Sequence, residues 1–253
     1  MYHKCGKLFF YEPLAEAFAL LGFEAEHLGE PGKPDVLVIG RLGSDSYTAV
    51  VEAKTCRKGN VVGLAQVNYN SISDHKEEHT ADYALLIAPE FAGGKLVEHA
   101  IRSKVGMTTT QALISILKRH DQFPFSIAEL RPLFEAQGLA EGIEDELGRI
   151  HTQHYDYIQL TSTVLQILDE LQRQQEVSEP ISSSAIYYIL VDRAKQEELA
   201  PPDRKQIDEV LSLLSNPVLA VLTSEEGGYV LTISPSAARQ RLAALARLLS
   251  SEE

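Results

Sequence analysis

The apolar positions change their period several times along the chain. From Tyr11 to Leu21, the residues Leu14, Ala17, Phe18 and Leu21 recur at helical spacing, with Pro13 in the first turn and Gly22 at the stop. Phe23 to Leu28 reads as a short extended piece, and Gly29-Glu30-Pro31-Gly32-Lys33-Pro34 as a turn-rich loop. Asp35-Val36-Leu37-Val38-Ile39 is an apolar run of strand length. After a turn over Gly40 to Ser46, Tyr47 to Lys54 reads as a second strand, rich in β-formers before its charged end. Gly59-Asn60 breaks the chain. Val61 to Ile72 has helical character, Asp82 to Ala88 is a buried-strand run, Gly93-Gly94 a loop, Lys95 to Ser103 a helix, Val105 to Thr108 a strand and Thr109 to Lys118 a helix. This alternation predicts a mixed α/β domain, with helices flanking a mixed sheet.

After Phe125 the character changes. Ser126 to Gln137, Tyr157 to Glu176, Ser182 to Leu199 and Pro202 to Ser215 each carry a helical apolar stripe, with Ser182 and Asp203 as N-caps. Val218 to Leu222, then Glu225-Glu226-Gly227-Gly228, then Tyr229 to Ile233 is a β-hairpin signal, and Pro235 to Leu249 closes the chain with a helix. Three helices followed by a hairpin is the order of a winged helix. The reading divides the chain at Gln122/Phe123 into an α/β domain, 1–122, and a mainly helical, winged-helix-like domain, 123–253.

Composition narrows the possibilities. Hydrophobic content of 44% and charged content of 23% are ordinary for a soluble globular protein. No apolar run approaches the roughly 20 residues a bilayer span needs, so no membrane partner is expected. The N-terminal residues lack the pattern of a secretory signal, and Cys5 and Cys56 offer no disulfide framework, which together predict a cytoplasmic protein. The net charge is −13 and uneven: the first 122 residues hold 13 Lys/Arg against 15 Asp/Glu, the rest 10 against 21. A field this negative does not attract a polyanion. Any contact with DNA must be local and metal-assisted, or helped by a partner.

The charged strand end carries the chemistry. Glu52 and Lys54 lie two apart on a strand and so share a face. A hairpin folded about the Gly43–Ser44 bond sets Asp35 opposite Glu52, where Cβ atoms stand roughly 4.5–5.5 Å apart. Carboxylates that close repel unless a cation lies between them. Their hard oxygens suit Mg²⁺, which keeps several waters, with the Ala53 backbone carbonyl as a third ligand; Mn²⁺ is expected to substitute. Beside such an ion, the Lys54 ammonium can orient a water and neutralise charge on a phosphate.

Pro34-Asp35, a spacer, then Glu52-Ala53-Lys54 resembles the PD-(D/E)XK signature of restriction-endonuclease-like nucleases. Gly22 to Gly29 followed by Gly32-Lys33-Pro34-Asp35 is similar to the approach to the catalytic hairpin in the FokI-type cleavage domain. Gly63-Leu64-Ala65-Gln66 resembles its later glutamine, and Leu85 to Lys95 its later strand, loop and helix. The likeness covers roughly Leu14 to Leu133. It implies a Mg²⁺-dependent DNA endonuclease of restriction or defence type that leaves 5′-phosphates, often as a dimer. It also implies Asp35, Glu52 and Lys54 as catalytic residues, Gln66 as an accessory group, and a first-helix glutamate, either Glu12 or Glu16, with Glu12 favoured. Two departures matter. Glu52 stands where the FokI-type site has an aspartate, and the additional domain is C-terminal rather than N-terminal, so neither target nor partner carries over.

Other candidates read as structural. His75/His79 and His151/His154 have ligand-like spacing but no third ligand, and a solvated helix is the simpler account. Cys56 reads as a small filler. Arg57, Lys58, Lys95 and Arg102 read equally well as phosphate contacts or as ordinary surface charges. In the acidic C-terminal domain, the helix from Pro202 to Ser215 carries Asp203, Asp208 and Glu209 beside Arg204 and Lys205, so a protein contact, as homodimer or with a partner subunit, is favoured over DNA readout. The Val164, Ile167, Leu168, Leu171 stripe is first of all core. Two alternatives stay open: the nuclease subunit of a transposition system acting with partner proteins, and an inactive nuclease-fold scaffold.

Overall fold

The structure, a computed structural model, describes residues 5–30, 32–55, 61–140, 142–174 and 179–249, with side chains from residue 13 to residue 244. It divides into two compact units, Met1–Thr152 and Gln153–Glu253.

In the first unit the elements run α1 (Cys5–Leu20), β1 (Glu24–His27), β2 (Val36–Gly40), β3 (Tyr47–Ala53), β4 (Val61–Val62), α2 (Tyr69–Glu78), β5 (Tyr83–Ala88), β6 (Glu90–Phe91), α3 (Lys95–Arg102), β7 (Gly106–Thr109), α4 (Thr110–Gln122), α5 (Ile127–Leu130), α6 (Pro132–Glu135), β8 (Gly138–Leu139) and the start of α7 (Ile143–Gln174). Six strands form one mixed sheet in the order β1-β2-β3-β5-β7-β8. The first three pair antiparallel and the rest add parallel to β3. β4 and β6 form a small parallel pair of their own.

The alternation of side chains along β2 and β3 makes the layers. Val36, Val38, Tyr47, Ala49, Val51 and Ala53 point into one core with Leu14 and Phe18 of α1, Leu21 just after it, Leu113 and Ile116 of α4, and Leu133 and Phe134 of α6. Val50, Ala84, Leu86 and Met107 point into the other, under Tyr69 and Ile72 of α2 and Leu96 and Ala100 of α3. The sheet is therefore buried on both faces, as parallel strands require. The Tyr69 hydroxyl ties α2 to α3 by donating to the Leu96 carbonyl at 3.0 Å, and its burial pushes its pKa up to about 12. The first core is aromatic at its centre: Phe23 meets Phe134 at 5.4 Å and Tyr47 meets Phe134 at 5.7 Å between ring centroids. Gly40 makes room for it, since a Cβ there would lie 2.7 Å from the Tyr47 ring.

Several expectations need correction. α1 starts at Cys5, so Pro13 lies inside the helix rather than in its first turn. Its predicted stop holds: Gly22 takes φ +92°, and the Phe23 N–H closes on the Phe18 carbonyl. Val61 to Ile72 is not one helix. Two β-branched valines form β4, Leu64–Gln66 is a single 3-10 turn, and α2 begins only after Asn68, whose side chain accepts from the Ser71 N–H. Ser126 to Gln137 is two short helices meeting at Pro132, which has no N–H to continue the first. The expected boundary at Gln122/Phe123 moves to Thr152/Gln153, because Phe125, Leu130, Leu133, Phe134, Ile143 and Leu147 all complete the first core. β8, an unexpected edge strand, belongs to the same sheet. Gly106 permits its approach, since a Cβ there would meet the Ala136 carbonyl at 2.8 Å.

The second unit holds the rest of α7, then α8 (Ser183–Gln196), α9 (Arg204–Leu214), β9 (Leu222–Glu225), β10 (Gly228–Leu231) and α10 (Pro235–Leu249). Both expected caps form: Ser182 accepts from the Ala185 N–H and Asp203 from the Lys205 N–H. The hairpin is displaced relative to expectation, with its first strand at Leu222–Glu225 instead of Val218 to Leu222. Ile181, between α7 and α8, bridges antiparallel to Tyr229 of β10. Val164, Ile167 and Leu168 lie in this unit's own core with Ile186, Ile207, Val210 and Val221, which settles their stripe as packing.

Candidate active site

The β2–β3 register decides where the acids fall. Val36 pairs with Val51, Leu37 with Val50 and Gly40 with Tyr47, the register expected from a hairpin folded about Gly43–Ser44. The paired ladder ends at Val36 and Val51, and one further step of the same register would set Asp35 opposite Glu52. Two bonds hold this end. The Ala53 N–H donates to Asp35 Oδ2 at 2.8 Å, and the Leu28 N–H donates to the Asp35 backbone carbonyl at 3.1 Å. The aspartate is thus anchored from both neighbouring strand segments, through its side chain and its backbone.

Glu52 projects from β3 on the side of Val50, opposite to Val51 and Ala53. β3 is an interior strand, and Glu52 sits beside Leu86 of β5. The Lys54 N–H donates to the Ile87 carbonyl at 2.8 Å, which carries the β3–β5 pairing past the last residue of β3. The Lys54 ammonium then reaches back two residues to Glu52 Oε1, 2.5 Å away, with the two side chains only 28% and 16% exposed. Glu52 Oε2 is buried and has no hydrogen-bond partner. A buried carboxylate oxygen left without a donor is costly, and a cation is the species that would satisfy it. In that respect the residues fit a metal ion. Among the described residues, no group of three or more His, Cys, Asp and Glu converges as a metal cluster. Any cation here would be offered carboxylate and backbone oxygens rather than the nitrogen and sulfur ligands of a zinc site.

The structure brings Asp35, Ala53, Glu52 and Lys54 together and treats the remaining candidates differently. Gln66 is exposed and closes its own 3-10 turn, its Oε1 accepting from the Gly63 N–H at 2.7 Å. Glu16 is exposed on α1, and the Glu12 side chain lies outside the described residues, as do Cys56, Arg57 and Lys58. Lys95 is exposed, and Arg102 pairs with Glu98 on its own helix at 3.4 Å. His75 is not on a solvated face as expected: it is 6% exposed, with Nε2 3.4 Å from Ser71 Oγ. What sequence reasoning did not foresee is the Ala53 N–H as a holder of Asp35. A Pro-Asp just before a strand whose partner ends two residues past the pairing was the available signal.

No family model matches the chain, and no curated protein matches it. Solved structures similar to part of it include restriction endonuclease FokI, with a TM-score of 0.41, and the same enzyme bound to DNA, with a TM-score of 0.40. Each is 17% identical over 48% of this chain, and the matched region spans 26% of the FokI chain. Among the described residues, no helix is long and apolar enough to cross a membrane.

Proposed function

We propose that the chain is a divalent-metal-dependent DNA endonuclease with a restriction-endonuclease-like catalytic core, cutting phosphodiester bonds to leave 5′-phosphates in a restriction or defence setting. One observation carries this reading. Asp35 and Glu52 lie on neighbouring strand segments at one end of a β-ribbon, the Lys54 amine pairs with Glu52, and one buried Glu52 oxygen has no hydrogen-bond donor. Asp35, Glu52 and the Ala53 carbonyl would hold Mg²⁺ or Mn²⁺. Such an ion, when bound, supplies Lewis acidity and an acidified water. The chain's own contribution is positional. The Ala53 N–H fixes one Asp35 oxygen, β3 carries Glu52, and the Lys54 ammonium on Glu52 would be the cation to offset charge growing on a phosphate oxygen as the bond breaks. Gln66, and a glutamate of α1, remain accessory candidates on the strength of the family resemblance.

The second unit supports a partner-dependent variant of this reading. We read its order, helix, bridge residue Ile181, two helices, then a hairpin whose second strand pairs with that bridge, as winged-helix-like. It carries 8 Lys/Arg against 15 Asp/Glu, so a protein contact, in a dimer or with a transposition partner, suits it better than DNA readout. Plasmid DNA incubated with Mg²⁺, with EDTA, and with Glu52→Ala separates the cases. A self-sufficient nuclease linearises the plasmid only with metal and only with Glu52. A partner-dependent enzyme cuts little until its partner is added. An inert scaffold cuts under no condition.

A further inference from the structure

We propose that Lys54 is the resident counter-ion of Glu52, and that it holds the site's metal affinity down until a phosphate draws its ammonium away, so that metal and DNA backbone bind cooperatively. This rests on the reading of Asp35 and Glu52 as metal ligands. The two Glu52 oxygens differ: Oε1 has the Lys54 ammonium at 2.5 Å, and Oε2 is buried with no partner. A divalent ion bound at this carboxylate stands a few ångströms from a cation that is itself only 28% exposed. Like charges at that separation, poorly screened, oppose each other. The opposition is relieved when the amine exchanges Glu52 for another anion. The remaining exposure gives it a solvent side from which one can arrive, and a phosphodiester oxygen is an anion of the right charge. By linkage, whatever the phosphate adds to metal affinity the metal adds to phosphate affinity. The same lysine that assists the reaction thereby keeps the protein from loading metal in the absence of DNA.

Mn²⁺ affinity of the full chain, read from the free-ion electron paramagnetic resonance signal without nucleic acid, tests this. Lys54→Met and Lys54→Gln are expected to bind Mn²⁺ roughly tenfold more tightly than the unaltered chain. Lys54→Arg, which keeps the charge, stays near it, and Glu52→Gln loses the site. A random-sequence DNA duplex tightens Mn²⁺ binding in the unaltered chain and not in Lys54→Met. If both neutral variants bind Mn²⁺ no better than the unaltered chain while Glu52→Gln loses binding, the counter-ion role is overturned and the metal site stands. If Glu52→Gln binds Mn²⁺ undiminished, the metal site itself is overturned. The two neutral substitutions guard against one of them failing to fold.

Discussion

The two faces of the central sheet are built from the same strands and do opposite things. One face is closed with aromatic and aliphatic side chains: Phe18, Phe23, Tyr47 and Phe134 pack edge to face or tilted, and Arg131 lies 5.4 Å above the Tyr47 ring. Its titratable groups are drawn into that packing. Burial raises the Tyr47 hydroxyl far above its ordinary range, and the hydroxyl spends its proton on the Ile127 carbonyl at 3.1 Å. The other face begins the same way, with Val50, Leu86 and Met107 under α2 and α3, but its strand end turns charged at Glu52. The difference comes from a single residue of phase. Val51 and Glu52 are neighbours, yet one is fully buried hydrocarbon and the other a largely buried carboxylate lacking a partner on one oxygen. A slip of one residue in the β2–β3 register would exchange them, so the aromatic face, by pinning the register, also fixes where the acids stand.

Substitutions can break this comparison in order of effect. Glu52→Ala and Asp35→Ala are each expected to lower the rate of Mg²⁺-dependent plasmid cleavage roughly a thousandfold or more, with the urea midpoint little changed; a variant that cuts normally refutes the assignment. On the closed face, Phe134→Ala should cost about 3–5 kcal/mol in urea unfolding and reduce cleavage only as far as the fraction folded falls. Acidification addresses the same side of the sheet more gently. His120 Nδ1 accepts from the Phe125 N–H at 3.1 Å, and burial lowers its pKa below 6.5 against the opposing pull of Asp121. The unfolded chain then takes up the proton more readily than the folded one. Stability present above 6.5 should therefore fall as the pH drops through the interval below it, and His120→Asn should flatten the melting temperature's dependence on pH over that range. The smallest effect concerns the site's own side. Asn68→Ala removes the cap of α2 and should cost about 1 kcal/mol, measured by the same urea transitions, without abolishing cleavage.

Much of this arrangement is legible in the chain. The strands around Val36 to Gly40, Tyr47 to Ala53 and Tyr83 to Ala88 announce themselves as apolar runs between polar turns, and the register of the first two follows from their spacing. The caps at Ser182 and Asp203 are equally local, because a short side chain accepting from a nearby N–H needs no distant partner. Three features escaped for a common reason. The residues from Val61 to Gln66 form a strand and a turn because Glu90–Phe91, nearly 30 residues away, offers an edge to pair with. Gly138–Leu139 is a strand only because Gly106 lets it approach. Phe125 to Leu147 look like the start of a new domain, yet they supply the far side of the first core. Moving the boundary to Thr152 also redistributes the charge. The first unit then holds 15 Lys/Arg against 21 Asp/Glu, so the acidity no longer belongs to the C-terminal part alone.

Local pattern by itself determined which residues of this protein alternate, which cap, and that an aspartate, a glutamate and a lysine flank one β-hairpin. Those properties depend on neighbours within a few positions, through backbone geometry and the pleat. Only the tertiary structure decided that the Ala53 N–H holds Asp35, that Lys54 neutralises one Glu52 oxygen and leaves the other bare, and that 30 residues beyond the expected boundary belong to the first unit. Those outcomes depend on burial and on contacts between segments far apart in sequence, which set the cost of an unpaired charge and the choice of who satisfies it.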